Sequence, residues 1–254
     1  MTLIRKWGPP ALVFLALLAA WETWVRAAGI QGFLLPPPSE VISTMRQEWQ
    51  VVWAAGFFTL REALGGLIGG TVLGILAAFA ASRWVVIREG VMPFYVAMGA
   101  APIIALAPIT NQWFGITNPV SKMTVVAVMV FFPVMINMTR GLADVGGDKL
   151  ELMKSLAATE GGTLRKVRLP NALPYLFSAL KVAVVLSLIG AIVAEYFGGS
   201  RDALGVYISQ QAGLTRMAEA WSGIVVATVL GAVLQLVIVV AERLLIPWHP
   251  SIRG

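Results

Sequence analysis

Between Ala63 and Ala81 the chain holds no charged residue and is stacked with glycine. A helix of that length rises about 28 Å, which matches the hydrocarbon core of a bilayer. Five further apolar runs can be placed, at Pro9–Ala28, Val91–Ile116, Met123–Met138, Ala172–Phe197 and Ile224–Ala241. In lipid the backbone must satisfy its own hydrogen bonds, so such runs fold as helices. The expected fold is therefore all-α: a polytopic membrane protein with six transmembrane helices and a single domain over residues 1–254. Composition agrees. The chain is 58% hydrophobic and only 13% charged, where soluble domains carry about 25%.

Several classes are excluded. The net charge of +6 sits in short loops rather than in one stripe, which argues against nucleic acid. With no cysteine, thiol catalysis and thiolate metal sites are absent, and the single histidine, His249, cannot build a histidine metal site or triad. Arg5 and Lys6 before Pro9–Ala20 look like a secretion signal, but Trp21, Glu22 and Trp24 follow and no small-x-small site ends the run, so a retained first span is expected. Pro93, Pro102 and Pro108 should kink or split the third span. The fourth is short and should borrow the long stems of Lys122 or Arg140 at the interface.

Loop charge predicts the topology. With the N-terminus inside, the cytoplasmic side collects Arg5, Lys6, Arg83, Arg88, Arg140, Lys149, Lys154, Arg165, Lys166, Arg168, Arg243 and Arg253, while the outer side holds Arg26, Arg46, Arg61, Lys122, Arg201 and Arg216. That asymmetry follows the positive-inside rule and puts both termini in the cytoplasm. Outside, Leu35-Pro36-Pro37-Pro38 reads as a stiff turn, with Ser39 as N-cap of an interfacial helix to about Trp53.

The cytoplasmic segment, about 148–174, is then a polar helix-and-turn unit between spans. Gly146-Gly147 breaks the chain, Asp148 is placed to cap a helix, and Glu151 takes the third position of a capping box. Leu152, Met153, Leu156 and Ala157 share one face, with Glu151 and Lys154 elsewhere, and Gly161-Gly162 should end the helix. An apolar stripe on a solvent-side loop either rests on lipid headgroups or inserts into a partner's groove.

The segment resembles the EAA loop of importer-type ABC transporter permeases, with pattern E-A-A, three residues, G, nine residues, I-x-L-P. Glu151, Leu152 and Met153 fall on E-A-A, Ala157 on the glycine, and Val167, Leu169 and Pro170 on I, L and P. The chain departs from the pattern at Leu152, Met153 and Ala157. Leu35-Pro36-Pro37-Pro38-Ser39, Trp113-Phe114-Gly115, Phe132-Pro133, Leu169–Pro174 and Val193-Ala194-Glu195 resemble, in order, permeases of the nitrate, sulfonate and taurine group; permeases for thiamine-precursor pyrimidines and riboflavin are similar too. The resemblance implies a type I importer permease of the bacterial inner membrane. It would work as a homodimer, take a small solute from an extracytoplasmic binding protein, and dock its coupling helix, Glu151–Gly162, on two ATPase subunits. Asp148, Glu151, Leu152, Met153, Lys154, Leu156, Ala157, Gly161, Val167, Leu169 and Pro170 form the expected coupling set. Glycine at position 157 would let two backbones approach closely. The chain has no G-x-x-x-x-G-K-[ST] loop, so no cofactor is expected in it; ATP and magnesium would be bound by the partner ATPase, and this chain is not expected to be an enzyme.

Gly66, Gly70 and Gly74, and Gly65 with Gly69, read as small-residue packing ridges. Arg61-Glu62 reads as an interfacial pair. Glu195, toward the outer end of a span, either pairs with Arg61 or faces the pathway or its gate, and Glu22 has the same two readings. Thr110, Asn111 and Gln112, beside Pro108, either line a cavity or satisfy backbone freed by the proline; Asn137, Ser187 and Gln235 are weaker pathway candidates. A competing function is an ion-driven secondary transporter, which wants inverted repeats and acidic relays. An intramembrane enzyme would need a catalytic pair within the spans.

Overall fold

A computed structural model describes residues 2–83 and 103–247. Its elements are helices throughout, with no strand among the described residues: α1 Thr2–Ala27, α2 Pro38–Gln47, α3 Trp49–Arg83, a 3-10 turn Ile103–Leu106, α4 Ala107–Phe114, α5 Pro119–Ala143, α6 Gly147–Ser155, α7 Glu160–Tyr196, α8 Leu204–Gly213 and α9 Met217–Leu245. Five of these, α1, α3, α5, α7 and α9, are long and apolar enough to cross a membrane. The third expected span, Val91–Ile116, falls largely outside the described residues. Its described remainder is the 3-10 turn and α4, which carries Pro108 in its first turn.

The core is a three-helix stack of α3, α5 and α7. No hydrophobic effect drives helices together in lipid, so small residues that allow close approach decide the contact. On α3, Gly66, Gly70 and Gly74 lie on α5; a Cβ at Gly74 would meet the Phe131 carbonyl oxygen at 2.9 Å. At Gly141 of α5 it would meet the Ala172 Cα of α7 at 2.7 Å. Ala63, Leu67, Val126, Val130, Val134, Ala183, Val184 and Ala191 fill the seam. Gly65 and Gly69 lie at the edge of the same seam, against Met123 and Ala127 of α5, and line an open apolar groove between the two helices with Leu73 and Phe131. The α3 and α5 helices run parallel, and α7 returns antiparallel. Peripheral α1 keeps 6% of its apolar window buried against 44% for α5, as expected of a lipid-facing helix.

Several sequence expectations on span limits change. The second span begins at Trp49, not Ala63, because α2 stops at Gln47 and the chain turns at Glu48 straight into α3. The N-cap of α2 is Pro37, not Ser39. Ser39 instead donates its backbone N–H and hydroxyl to Glu22 of α1 at 3.0 and 2.8 Å, so Glu22 caps α2 from the neighbouring span. The fifth span is one 37-residue helix that begins at Glu160 and swallows Pro170 and Pro174. A π-helical turn over Leu164–Arg168 widens it just before Pro170, where the missing proline N–H breaks the regular ladder.

Candidate functional site

Two polar regions stand at opposite ends of the bundle. The first is the hairpin between α5 and α7. Its short helix α6 has Gly146 as N-cap with no side-chain cap bond, so Asp148 and Glu151 do not form the expected capping box; Asp148 sits in the first turn, where a carboxylate complements the helix dipole. The helix ends at Ser155, not at Gly161-Gly162. The stop is a Schellman motif: the Ala158 N–H reaches the Met153 carbonyl at 3.0 Å and the Ala157 N–H the Lys154 carbonyl at 2.9 Å. Ala157 is the residue in the left-handed region, with φ of +49°. Gly161 and Gly162 belong instead to the first turn of α7, which Thr159 caps by accepting from the Gly162 N–H at 3.1 Å.

Leu152 and Leu156, one turn apart, are 59% and 67% exposed. Met153 is half-buried, while Glu151 and Lys154 are exposed. Behind them, Leu164 and Leu169 pack on Ala78, Met138, Leu142 and Ala172, and Val167 and Pro170 are half-buried. Thus the expected coupling residues divide. Leu152 and Leu156 present an apolar face outward, while Leu169, together with Leu164 from outside that set, seats the hairpin on the bundle.

The second region was only partly legible beforehand. Glu195, 1% exposed on α7, accepts from Thr59 of α3 at 2.7 Å and from the Gly205 N–H at 2.5 Å. Thr59 in turn accepts from the Leu204 N–H at 2.8 Å. Glu195 and Thr59 therefore cap α8, whose own N-cap is Ala203 and offers no side chain for the purpose. The predicted Arg61–Glu195 pair does not form: Arg61 is exposed, and its neighbour Glu62 is 2% exposed and turned toward Glu195 and Lys122. Lys122 is 1% exposed, not snorkelling at an interface. Its ammonium donates to Asn111 Oδ1 at 3.0 Å and to the Ile116 carbonyl. Asn111 also accepts from Ser121 at 3.0 Å and donates to the Phe197 carbonyl at 3.2 Å. Two carboxyls and one ammonium are thus knotted where α3, α4, α5, α7 and α8 meet.

The remaining candidates are more ordinary. Thr110 is buried and bonds to its own turn at Ala107, and Gln112 is exposed. Asn137 donates to the Pro133 carbonyl one turn back, and Ser187 to the Val184 carbonyl. Lys181 pairs with Glu242 of α9 at 2.5 Å. Outside the spans, Tyr207 of α8 donates to Glu48 at 2.5 Å; burial first, then that carboxylate, hold its phenol above the ordinary range. Among the described residues no cluster of three or more His, Asp and Glu suits a metal ion.

Comparison with known proteins places this architecture. Residues 70–248 match the family of binding-protein-dependent transport system inner membrane components. The formylaminopyrimidine transport permease protein ThiX of Halalkalibacterium halodurans is 31% identical over 94% of this chain and 95% of its own. The riboflavin transport system permease protein RibX of Chloroflexus aurantiacus is 29% identical over 96% and 91%. The putative aliphatic sulfonates transport permease protein SsuC of Bacillus subtilis is 26% identical over 98% and 90%. A crystal structure of an amino acid ABC transporter shares the fold, with a TM-score of 0.62 at 15% identity over 81% of this chain and 97% of that one. The chain belongs to the family of binding-protein-dependent transport system inner membrane components.

Proposed function

We propose that this family member is the membrane-spanning subunit of an ATP-driven importer, coupled to separate ATPase subunits through α6. One observation carries the reading: Leu152 and Leu156 stand exposed on a capped helix that lies off the end of the bundle, outside every span. At one-turn spacing these exposed leucines suit a groove in a partner protein. The hairpin lies on the cytoplasmic side, as do both termini. ATP and magnesium bind in the partner. Two copies of this chain pair, two ATPases dock below, and an extracytoplasmic binding protein delivers a small solute at the opposite end, where α2, α4 and α8 gather. The relatives named above handle a formylaminopyrimidine, riboflavin and aliphatic sulfonates, and the cargo here is of that size class. The polar knot around Asn111, Lys122 and Glu195 holds the outer end together, next to the entrance of the path.

The chain has no cysteine, so Leu156→Cys supplies the single thiol on the permease side for crosslinking to a co-expressed ATPase. Crosslinking is expected, and Leu156→Asp should insert in the membrane yet lose both the ATPase and uptake. Uptake that survives Leu156→Asp, or deletion of the ATPase, defeats the proposal and favours an ion-driven carrier.

A further inference from the structure

The hairpin's entry and exit are tied to each other, and nothing in the coupling motif requires it. Asp144, the C-cap residue of α5, is where the chain leaves that span. Asn171 lies within α7, just past its π turn and Pro170. The Asn171 side-chain amide donates to both the Gly141 and Asp144 carbonyls at 2.9 Å. The last carbonyls of a helix have no partner within it, so Asn171 of α7 completes the end of α5. One turn on, the Tyr175 hydroxyl donates to the Asp144 carboxylate. Beneath these bonds, Gly141 lets the two backbones touch, since a Cβ there would lie 2.7 Å from the Ala172 Cα and 2.9 Å from the Tyr175 ring.

We propose that Asp144, Asn171 and Tyr175 form a clamp that makes the hairpin, α5 and α7 a single lever, so that these three are positioning residues for coupling. This rests on the docking of α6 proposed above. A hairpin joined to two spans by flexible strands would swing without moving either. Clamped at its base, it passes any displacement to both helices at once, and packed helices shift as bodies. The two remain in contact far from the clamp, where Gly190 of α7 lies against Met129 and Val126 of α5. They end in the Asn111–Lys122, Thr59–Glu195 and Gly205–Glu195 bonds, which bind α4, α3 and α8. A continuous, bonded route thus joins the hairpin to the opposite end of the bundle.

The test needs no knowledge of the cargo. The full complex, permease with ATPase in liposomes, carries an environment-sensitive fluorophore at Leu156→Cys or at Leu214→Cys, an exposed residue after α8. ATP with vanadate is the probe. In the otherwise unaltered permease both labels should change their emission. With Tyr175→Phe and Asn171→Leu together, the Leu156 label should still respond while the response at Leu214 falls at least five-fold. Persistence of both responses overturns the clamp. Absence of any response or ATPase crosslink at Leu156 in the unaltered complex overturns docking, and the clamp with it. Should the double variant lose both signals, Tyr175→Phe alone, which removes one oxygen, decides by the same two labels.

Discussion

Replacing Ala157 by glycine should stabilise α6 in the isolated permease. Ala157 occupies the left-handed region at φ of +49°, where a Cβ crowds the following carbonyl at about 1–2 kcal/mol. Glycine removes that clash but gives up roughly 0.5–1 kcal/mol of backbone entropy on ordering. Taking the middle of each range, the net gain is about 0.7 kcal/mol, a factor of about 3 in the opening equilibrium of the helix end. Both Schellman bonds, from Ala157 to Lys154 and from Ala158 to Met153, close over this residue, so their amides report on it. Hydrogen exchange at those two amides, measured in detergent without ATPase, should slow by that factor in Ala157→Gly. It should quicken in Ala157→Val, since a branched side chain tolerates the left-handed region less well. The Ala157 methyl is exposed, so no packing is lost in either variant. The alternative role for a glycine here, close approach to a partner backbone, predicts no change in the isolated permease and a gain only in the complex. Unchanged or faster exchange in Ala157→Gly refutes the backbone argument.

Two other outcomes follow from the outer end. Lys122→Met leaves the buried Asn111 Oδ1 and Ile116 carbonyl without their donor and removes the cation near Glu62 and Glu195, and should cost about 1–3 kcal/mol, whereas adding Glu62→Gln should recover part of it; equal losses in single and double variants, read by thermal unfolding in detergent, would contradict the knot. Because the Tyr207 phenol is held above its unfolded value of about 10, its contribution is complete below that pH and lost as pH rises through the higher folded value; Tyr207→Phe should therefore flatten part of the alkaline decline above about pH 10 and leave pH 6–9 unchanged in slope.

The membrane fold was legible in the chain because lipid imposes so strict a rule. Uncharged runs such as Ala63–Ala81 must be helices, and the glycines of α3 announced close packing before any partner was known. The hairpin's place between the fourth and fifth expected spans was equally visible. What the sequence could not show is which groups complete one another across helices. Glu22 and Glu195 read locally as stray charges near span ends, yet each caps a short helix, α2 and α8, from a neighbouring element. Lys122 and Arg61 looked alike as interfacial cations, but only Lys122 turns inward, where Asn111 and the Ile116 carbonyl wait eleven and six residues away. Likewise the αL backbone at Ala157 follows from the two bonds that close the helix end, while its residue type argues against it. Burial and hydropathy are properties of a segment; a cap, a clamp or a buried ion pair depends on distances between segments, and those exist only once the bundle is packed.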